Sequence, residues 1–212
     1  MRSSDPAPLI SEEQIGQRVS ELADEIDTDY AGRDVLLVGV LKGAFMVMAD
    51  LARAIHTPAH FDFMAVASYG ASTQTSGVVR ILKDLDRDIT GRNVIVIEDI
   101  VDTGLTLSYL LRLLGARGPA SMEVLAMLAK PARLRVELPL RYIGFTVPNT
   151  FVVGYGLDYA EDYRNLSYIA DLSGVAEGDD VGAAKTAVTE STDHAKAEDV
   201  AAGGTPPRAA DT

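Results

Sequence analysis

The acids, hydroxyls and glycine that follow one apolar run are the groups in this sequence best placed to do chemistry. The segment from Val94 to Thr106 reads VIVIEDIVDTGLT, in which Glu98 and Asp99 end the apolar run. The turn that follows comprises Asp102, Thr103, Gly104, Leu105 and Thr106. Backbone N–H groups and hydroxyls at a helix N-terminus suit a phosphate monoester. The adjacent acids suit sugar hydroxyls or a divalent cation, so we expect this segment to bind a sugar phosphate.

Taken singly, these residues have an ordinary alternative, because Glu98 and Asp99 are also typical of solvated loop acids and Asp102 or Thr103 of a helix cap. The run as a whole is more specific. It lacks the spacing and lysine of a Walker loop and the G-x-G-x-x-G spacing of a dinucleotide turn. It resembles the phosphoribosyl-pyrophosphate (PRPP) signature of type I phosphoribosyltransferases, which is an apolar strand, two acids, two apolar residues and D-T/S-G-x-T.

Four further segments narrow the resemblance to the hypoxanthine-guanine phosphoribosyltransferases, over residues 10–172. Leu41-Lys42-Gly43 is similar to the family's pyrophosphate-binding loop, and Ser68-Tyr69 to the start of its catalytic lid. Lys130 matches the lysine that hydrogen-bonds the purine 6-oxo group. The segment from Phe151 to Asp158, followed by Arg164, resembles the part that stacks on the purine, binds metal and contacts pyrophosphate.

The resemblance implies a purine-salvage enzyme that transfers the phosphoribosyl group from PRPP to hypoxanthine or guanine, giving IMP or GMP and pyrophosphate. It implies catalytic roles for Asp102, Ser68 and Tyr69. The implied PRPP-binding residues are Lys42, Gly43, Glu98, Asp99, Asp102, Thr103, Gly104, Leu105, Thr106 and Arg164. Those implied for the purine are Lys130, Phe151, Val152 and Asp158, and those for Mg²⁺ are Glu98, Asp99 and Asp158. A homo-oligomer, either a dimer or a tetramer, is also implied.

The elements that must position these residues form an α/β pattern, because apolar runs rich in valine and isoleucine alternate with stretches of helical period. We expect a mainly parallel twisted sheet flanked by helices, with a small hood. The predicted strands are 35–41, 61–68, 78–83, 94–97, 122–129, 142–146 and 151–153 of one sheet. The predicted helices are 10–26, 45–55 and one with Leu107, Leu110, Leu111 and Leu114 on a single face. The polar stretch 69–77 is predicted to be a mobile loop.

Composition limits the other possibilities. The 212 residues carry a formal net charge of −12, which disfavours sequence-independent nucleic-acid binding. The chain has no cysteine and three histidines, which exclude thiolate metal sites and disfavour a multi-histidine zinc centre. The apolar runs are shorter than the roughly 20 residues that span a bilayer, so we expect a cytoplasmic protein without membrane contact.

The composition changes at Ser173, because no leucine, isoleucine, methionine, phenylalanine or tyrosine occurs from there to Thr212. Such a segment has too little apolar surface to offset the entropy of ordering it. We therefore predict a phosphoribosyltransferase domain over residues 1–172 and a disordered acidic tail over residues 173–212.

Two alternative functions share the predicted sugar site. A xanthine-preferring or other phosphoribosyltransferase differs only in its base, and although Lys130 favours a 6-oxopurine, the sequence does not decide whether xanthine is accepted. A non-catalytic regulator that senses the sugar pyrophosphate and binds RNA or DNA is a different class of protein. The acidic composition, the retained Asp102 and the lack of an added DNA-binding domain count against it. An assay with hypoxanthine distinguishes the two classes.

Overall fold

A six-stranded sheet lies at the centre of the computed structural model, which describes residues 6–68 and 79–173. In chain order the elements are β1 (Pro8–Ile10), α1 (Glu12–Asp29), β2 (Val35–Leu41), α2 (Phe45–Ala54), β3 (Ala59–Ser68), β4 (Val79–Lys83), β5 (Asn93–Val101), α3 (Leu105–Gly115), β6 (Ser121–Ala129), a 3₁₀ turn (Pro131–Arg133), β7 (Leu140–Thr146), β8 (Val152–Val153) and β9 (Ile169–Asp171). The strand order is β4-β3-β2-β5-β6-β7. All neighbours are parallel except β3 and β4, which confirms the predicted mainly parallel α/β sheet.

Alternate residues of the central strands supply two apolar layers, as the period of two in a strand requires. Leu36 and Val38 of β2 pack on one face with α3. Leu37 packs on the opposite face with α1 and α2. The four leucines predicted to form one face of α3 are all buried: Leu107, Leu110, Leu111 and Leu114. Helices therefore cover both faces of the sheet.

Helix α1 begins two residues later than predicted, because Ile10 belongs to β1 and pairs with Ile169. Ser11 caps the helix. Its hydroxyl accepts a hydrogen bond from the Gln14 backbone N–H at 3.2 Å, and the Gln14 side chain accepts one from the Ser11 N–H at 2.9 Å. This reciprocal pair is a capping box. The prediction that Ser11 caps the helix was right, and the predicted inclusion of Ile10 was wrong.

A second, three-stranded sheet with the order β1-β9-β8 forms the small hood. The prediction that residues 151–153 complete the main sheet was wrong, because Val152 pairs with Asp171 and Val153 with Ala170. A two-valine run is apolar enough for any buried strand, so its sequence does not specify a pairing partner. The partner of β8 is β9, which also pairs with β1 on its other edge.

Strand β5 is longer than the apolar run that predicted it. The run ends at Ile97, whereas the parallel pairing with β6 continues through Glu98, opposite Ala126, to Val101, opposite Ala129. Backbone hydrogen bonding to a neighbour, and not side-chain polarity, decides where a strand ends. The two acids are consequently parts of the sheet and not of a loop.

Some predictions fall wholly or partly outside the described residues. Tyr69 and the loop predicted over residues 69–77 lie there, as does the predicted tail from residue 174 onward. Ser173 is described, and its hydroxyl accepts a hydrogen bond from the Phe151 N–H at 3.1 Å. Within the described residues, no helix combines the length and the apolar character needed to cross a membrane.

Candidate active site

The carboxyl ends of β2 and β5, the N-terminus of α3 and the segment after β8 surround a pocket of about 340 Å³. This edge of a parallel sheet is where ligands bind in α/β folds. Ten of the residues predicted for PRPP or metal line it: Lys42, Gly43, Glu98, Asp99, Asp102, Thr103, Gly104, Thr106, Asp158 and Arg164. The fold therefore brings together chain segments that are more than a hundred residues apart in sequence.

The phosphate turn contains a glycine, Gly104, that both its backbone conformation and the local packing require. Gly104 has φ +77°, in the left-handed region, and a Cβ there would lie 2.7 Å from Leu138 Cδ1. Leu138 belongs to the segment after the 3₁₀ turn, so a glycine at this position lets that segment pack against the turn. Helix α3 starts at Leu105, and its first backbone N–H groups have no acceptor within the helix. Leu105 itself is absent from the pocket wall, so hydroxyls and backbone N–H groups face the pocket there.

Two neighbouring acids of β5 are held at the pocket with little solvent around them. Burial, reinforced by the charge of Asp99, raises the pKa of Glu98 well above its usual range. Burial also raises the pKa of Asp99 to about 6, against the opposing effect of a hydrogen bond from the Ile100 N–H at 2.8 Å. Two such acids become ionised at low cost only beside a cation or hydroxyl donors. A sugar diol and a divalent cation both meet that condition.

The predicted pyrophosphate loop is packed tightly between two other segments. A Cβ on Gly43 would lie 1.4 Å from Asp99 Oδ2, so the backbone of this loop rests directly on the Asp99 carboxyl. A Cβ on Gly156, which has φ +97°, would lie 2.2 Å from the Gly43 carbonyl oxygen. The Leu41–Lys42 peptide bond is cis. Gly43 therefore fits between β5 on one side and the segment after β8 on the other.

The two predicted pyrophosphate cations lie among carboxylates. Lys42 Nζ is 2.8 Å from Glu161 Oε2. The Arg164 guanidinium is 2.7 Å from Asp158 Oδ1 and 3.4 Å from Glu161 Oε1, and it donates to the Gly156 carbonyl oxygen at 2.8 Å. Glu161 was missed by the sequence reasoning. No periodic signal could have found it, because it lies in an irregular segment with φ +68°.

Of the four predicted purine-binding residues, Asp158 lines this pocket, whereas Lys130, Phe151 and Val152 do not. Lys130 is buried, its Nζ donates to the Thr150 carbonyl oxygen at 2.6 Å, and burial lowers its pKa. Phe151 is 37% exposed and meets the ring of Tyr159 edge-on at 5.6 Å. Val152 is buried in β8. The Lys130 N–H donates to the Val101 carbonyl oxygen at 3.0 Å, which joins this region to the end of β5.

Asp102 lies between the pocket and the purine-binding residues. Its Oδ1 lies 2.5 Å from Arg133 Nε, and within the described part of the chain this buried oxygen accepts no hydrogen bond. Arg133 was missed by the sequence reasoning, because only the 3₁₀ turn after Lys130 brings it back to Asp102. Ser68 is the last residue of β3, the strand that also places Val66 in the pocket wall.

The acids of the pocket suit a cation that the substrate helps to hold. Among the described residues, no three histidine, aspartate or glutamate side chains are grouped closely enough to bind a metal on their own. Mg²⁺ is usually bound by one or two carboxylates together with substrate phosphates and waters. Glu98, Asp99 and Asp158 face the same pocket and offer only carboxylate oxygens, so the donor chemistry fits Mg²⁺ bound with a phosphorylated substrate.

Comparison with known proteins agrees with this geometry. The profile of the phosphoribosyl transferase domain matches residues 10–160, so the fold and its phosphate turn define a phosphoribosyltransferase. A hypoxanthine-guanine phosphoribosyltransferase of Mycobacterium tuberculosis is 55% identical over 170 residues, covering 77% of this chain and 84% of its own length.

Solved structures give the same result. A hypoxanthine-guanine phosphoribosyltransferase of Bacillus anthracis superposes with TM-score 0.75 at 47% identity, covering 78% of this chain and 97% of that one. The hypoxanthine phosphoribosyltransferase of Trypanosoma cruzi in complex with its product IMP has TM-score 0.75 at 41% identity, covering 81% of this chain and 97% of that one. The chain belongs to the hypoxanthine-guanine phosphoribosyltransferase family.

Proposed function

We propose that the pocket between β2, β5 and α3 performs the family's purine-salvage reaction with the residue roles given below. The enzyme transfers the 5-phosphoribosyl group from PRPP to hypoxanthine or guanine, giving IMP or GMP and pyrophosphate. In this reaction N9 of the purine forms a bond to C1 of the ribose while the bond from C1 to pyrophosphate breaks. The observation that carries the proposal is the convergence of the buried acids Glu98 and Asp99 with the free N-terminus of α3 in one pocket.

The 5′-phosphate of PRPP binds at the turn before α3. Backbone N–H groups at the start of that helix, with the hydroxyls of Thr103 and Thr106, supply donors and the positive end of the helix dipole. Glu98 and Asp99 accept hydrogen bonds from the two ribose hydroxyls or bind the cation next to them. Because β5 carries both acids, with Glu98 buried and Asp99 partly buried, the sugar is held in a fixed orientation.

The pyrophosphate of PRPP binds at the opposite wall of the pocket. Lys42 and Arg164 face it and balance the negative charge that grows on the leaving group. Arg164 does so with a planar fork of donors. Mg²⁺, held by Asp158 together with Glu98 or Asp99, would supply further positive charge to pyrophosphate oxygens and sugar hydroxyls. Asp158 lies beside Arg164, so the same segment orients both groups.

The purine binds between Lys130 and Phe151. The Lys130 ammonium, which donates to the Thr150 carbonyl in the free protein, turns to the purine 6-oxo group, while Phe151 stacks on the ring and Val152 presents its backbone. Asp102 accepts the proton that leaves purine N7 as the bond at N9 forms. Ser68 and Tyr69 begin the lid that keeps water from the activated sugar.

A base-specificity assay tests the proposal. The full-length protein is given PRPP and Mg²⁺ with hypoxanthine, guanine, xanthine or adenine, and kcat/KM is measured for each. We expect turnover of hypoxanthine and guanine that is lost when a chelator removes Mg²⁺. Xanthine turnover above that of hypoxanthine would favour the xanthine-preferring alternative, and PRPP binding without turnover of any base would favour the regulator.

We also propose a homo-oligomer and a cytoplasmic location for the enzyme. The support is the similarity to a family whose T. cruzi member has been studied for the effect of its C-terminal region on oligomeric state. Light scattering on the full chain measures the mass directly, and a dimer or tetramer is the expected result.

A further inference from the structure

One carboxylate holds both of the cations that the proposed function assigns to pyrophosphate. Glu161 Oε2 lies 2.8 Å from Lys42 Nζ, and Glu161 Oε1 lies 3.4 Å from Arg164 Nη2. Lys42 and Glu161 are 119 residues apart in sequence, so their contact is not a by-product of local chain geometry. In the free protein the pyrophosphate subsite thus contains an anion supplied by the chain itself.

The backbone of this segment aims the Glu161 side chain at the subsite. The Glu161 N–H donates to Asp158 Oδ2 at 2.9 Å. Glu161 has φ +68° and its neighbour Ala160 has φ +51°, so two consecutive residues other than glycine adopt the left-handed region. Such conformations persist only where surrounding contacts hold them. The side chain is therefore directed towards Lys42 and Arg164 by a turn whose shape is costly to keep.

We propose that Glu161 sets the affinity of the enzyme for the pyrophosphate group. Its carboxylate occupies Lys42 and Arg164 while the subsite is empty, and it is displaced when PRPP or pyrophosphate binds. This inference rests on the proposed function, in which those two cations contact pyrophosphate. Glu161 thus weakens the binding of the pyrophosphate group and favours the release of pyrophosphate.

The exposure of the ion pairs makes displacement easy. The side chains of Lys42 and Glu161 are 65% and 58% exposed, and solvent-exposed pairs contribute little to stability. Arg164 keeps its contacts to Asp158 and to the Gly156 carbonyl when Glu161 leaves. The guanidinium consequently stays in place, and only the competing carboxylate has to move.

Two isosteric variants test the proposal in the full-length protein. Glu161→Gln removes the competing charge, and Asp162→Asn makes the same change of charge one residue further on. Asp162 is exposed and takes part in no ion pair within the described part of the chain. Inorganic pyrophosphate is titrated calorimetrically into each protein at a fixed excess of Mg²⁺. IMP is titrated separately as a ligand that needs neither cation.

We expect E161Q to bind pyrophosphate about three- to tenfold more tightly than the wild type, because two weak ion pairs no longer compete. Asp162→Asn should stay within about twofold, and both variants should bind IMP like the wild type. The gain should shrink as salt is added, since salt screens exposed charges. Glu161→Asp, whose shorter side chain reaches the two cations less well, should lie between the wild type and E161Q.

Pyrophosphate affinity in E161Q that is equal to or weaker than in Asp162→Asn would overturn the inference. An equal change in the affinity for IMP would also overturn the inference, because it would reveal a general structural effect of the substitution. The proposed function is tested separately by turnover of hypoxanthine in the wild-type protein. If the wild type turns over hypoxanthine but E161Q has unchanged pyrophosphate affinity, only the role of Glu161 is rejected. If the wild type does not turn over hypoxanthine, the proposed function is rejected, and this inference with it.

Discussion

The two walls of the pocket are held in place by different forces. The sheet side, which we define as residues 93–107 and Lys130, consists of a strand, a helix N-terminus and a strand end. Glu98 is buried, Asp99 is partly buried and Asp102 is half-exposed, and the apolar layers under β5 and α3 fix the elements that carry them. The loop side, defined as residues 154–166, has four residues other than glycine at positive φ. Tyr155 and Leu157 anchor its start in the apolar core. Hydrogen bonds such as Tyr155 N–H to the Leu166 carbonyl, together with the exposed ion pair of Glu161 and Lys42, hold the rest.

This difference fits the chemistry that each wall performs. The sheet side binds the parts of the substrates that stay together in the product, so rigid donors and acceptors are useful there. The loop side binds pyrophosphate, which must leave, and exposed ion pairs can exchange with a departing anion at little cost. We therefore expect substitutions on the sheet side to change rate and specificity strongly. Those at the exposed loop-side residues 160–162 should change affinity or stability by small factors.

The largest expected effect concerns Lys130. A lysine ammonium has donors only, so it satisfies a purine 6-oxo group and meets the 6-amino group of adenine donor to donor. We expect kcat/KM to favour hypoxanthine over adenine by about 10³–10⁵-fold. Lys130→Met should erase most of that preference by slowing the oxopurine reaction. The matched variant Lys42→Met, which removes a pyrophosphate cation instead, should lower kcat/KM for all bases alike. Equal use of adenine and hypoxanthine by the wild type would contradict the role of Lys130.

The next largest effect is expected at Asp102. If it takes the purine proton, Asp102→Asn should lose about 10²–10⁴-fold in kcat, the range for a positioned acid or base. PRPP binding should persist, since other groups contact the phosphate. Rapid-quench measurement of the chemical step separates this loss from slow product release. The loop-side variant Asp162→Asn, which makes the same change of charge, should keep the wild-type kcat. Unchanged turnover in Asp102→Asn would contradict its role as the acceptor of the purine proton.

Sequence reasoning worked best for the sheet side. Alternating apolar runs predict β2 and β5, and the acids and hydroxyls after Ile97 lie within one short segment, so chain order alone keeps them close. The same reasoning failed at residues 151–153, because the sequence of a two-residue apolar strand does not specify its pairing partner. That partner is β9 of the second sheet. It also missed Glu161 and Arg133, whose positions depend on left-handed turns and a single 3₁₀ turn and not on any repeating period.

Burial of Asp99 predicts a pH-dependent effect on stability. Its native pKa of about 6 lies above the ordinary pKa of an aspartate, so the native state retains the proton to higher pH than the unfolded state does. This group therefore makes the native state less stable as pH rises from about 4 to 6, and the cost stays constant at higher pH. Asp99→Asn should stabilise the substrate-free protein by about 1–2 kcal/mol at pH 8 and by almost nothing at pH 4.

Chemical denaturation at the two pH values measures this difference. The loop-side variant Asp158→Asn removes an ion pair to Arg164 instead of a buried charge, so it should not stabilise the protein at pH 8. If Asp99→Asn raised the free energy of unfolding equally at pH 4 and pH 8, burial of charge would not be the cause of the stabilisation. Asp99→Asn should also bind PRPP more weakly, which would place the stability cost at a residue that binds substrate.

The smallest expected effect tests whether the loop side is strained. Ala160 is exposed and has φ +51°, a region that costs a residue with a Cβ roughly 1–2 kcal/mol. Ala160→Gly removes that cost but gives the unfolded chain more freedom, worth about 0.4–1 kcal/mol in the opposite direction. The net stabilisation should be about 0.5 kcal/mol, or about 1–2 °C in Tm for a chain of this size.

Gly32→Ala is the reverse control, because Gly32 has φ +74° and no atom of the described residues lies within 4 Å of an added Cβ. It should lower Tm by a similar amount, since only backbone conformation changes there. A fall in Tm for Ala160→Gly would mean that the turn is held without strain, and that the two walls differ less than their dihedral angles indicate.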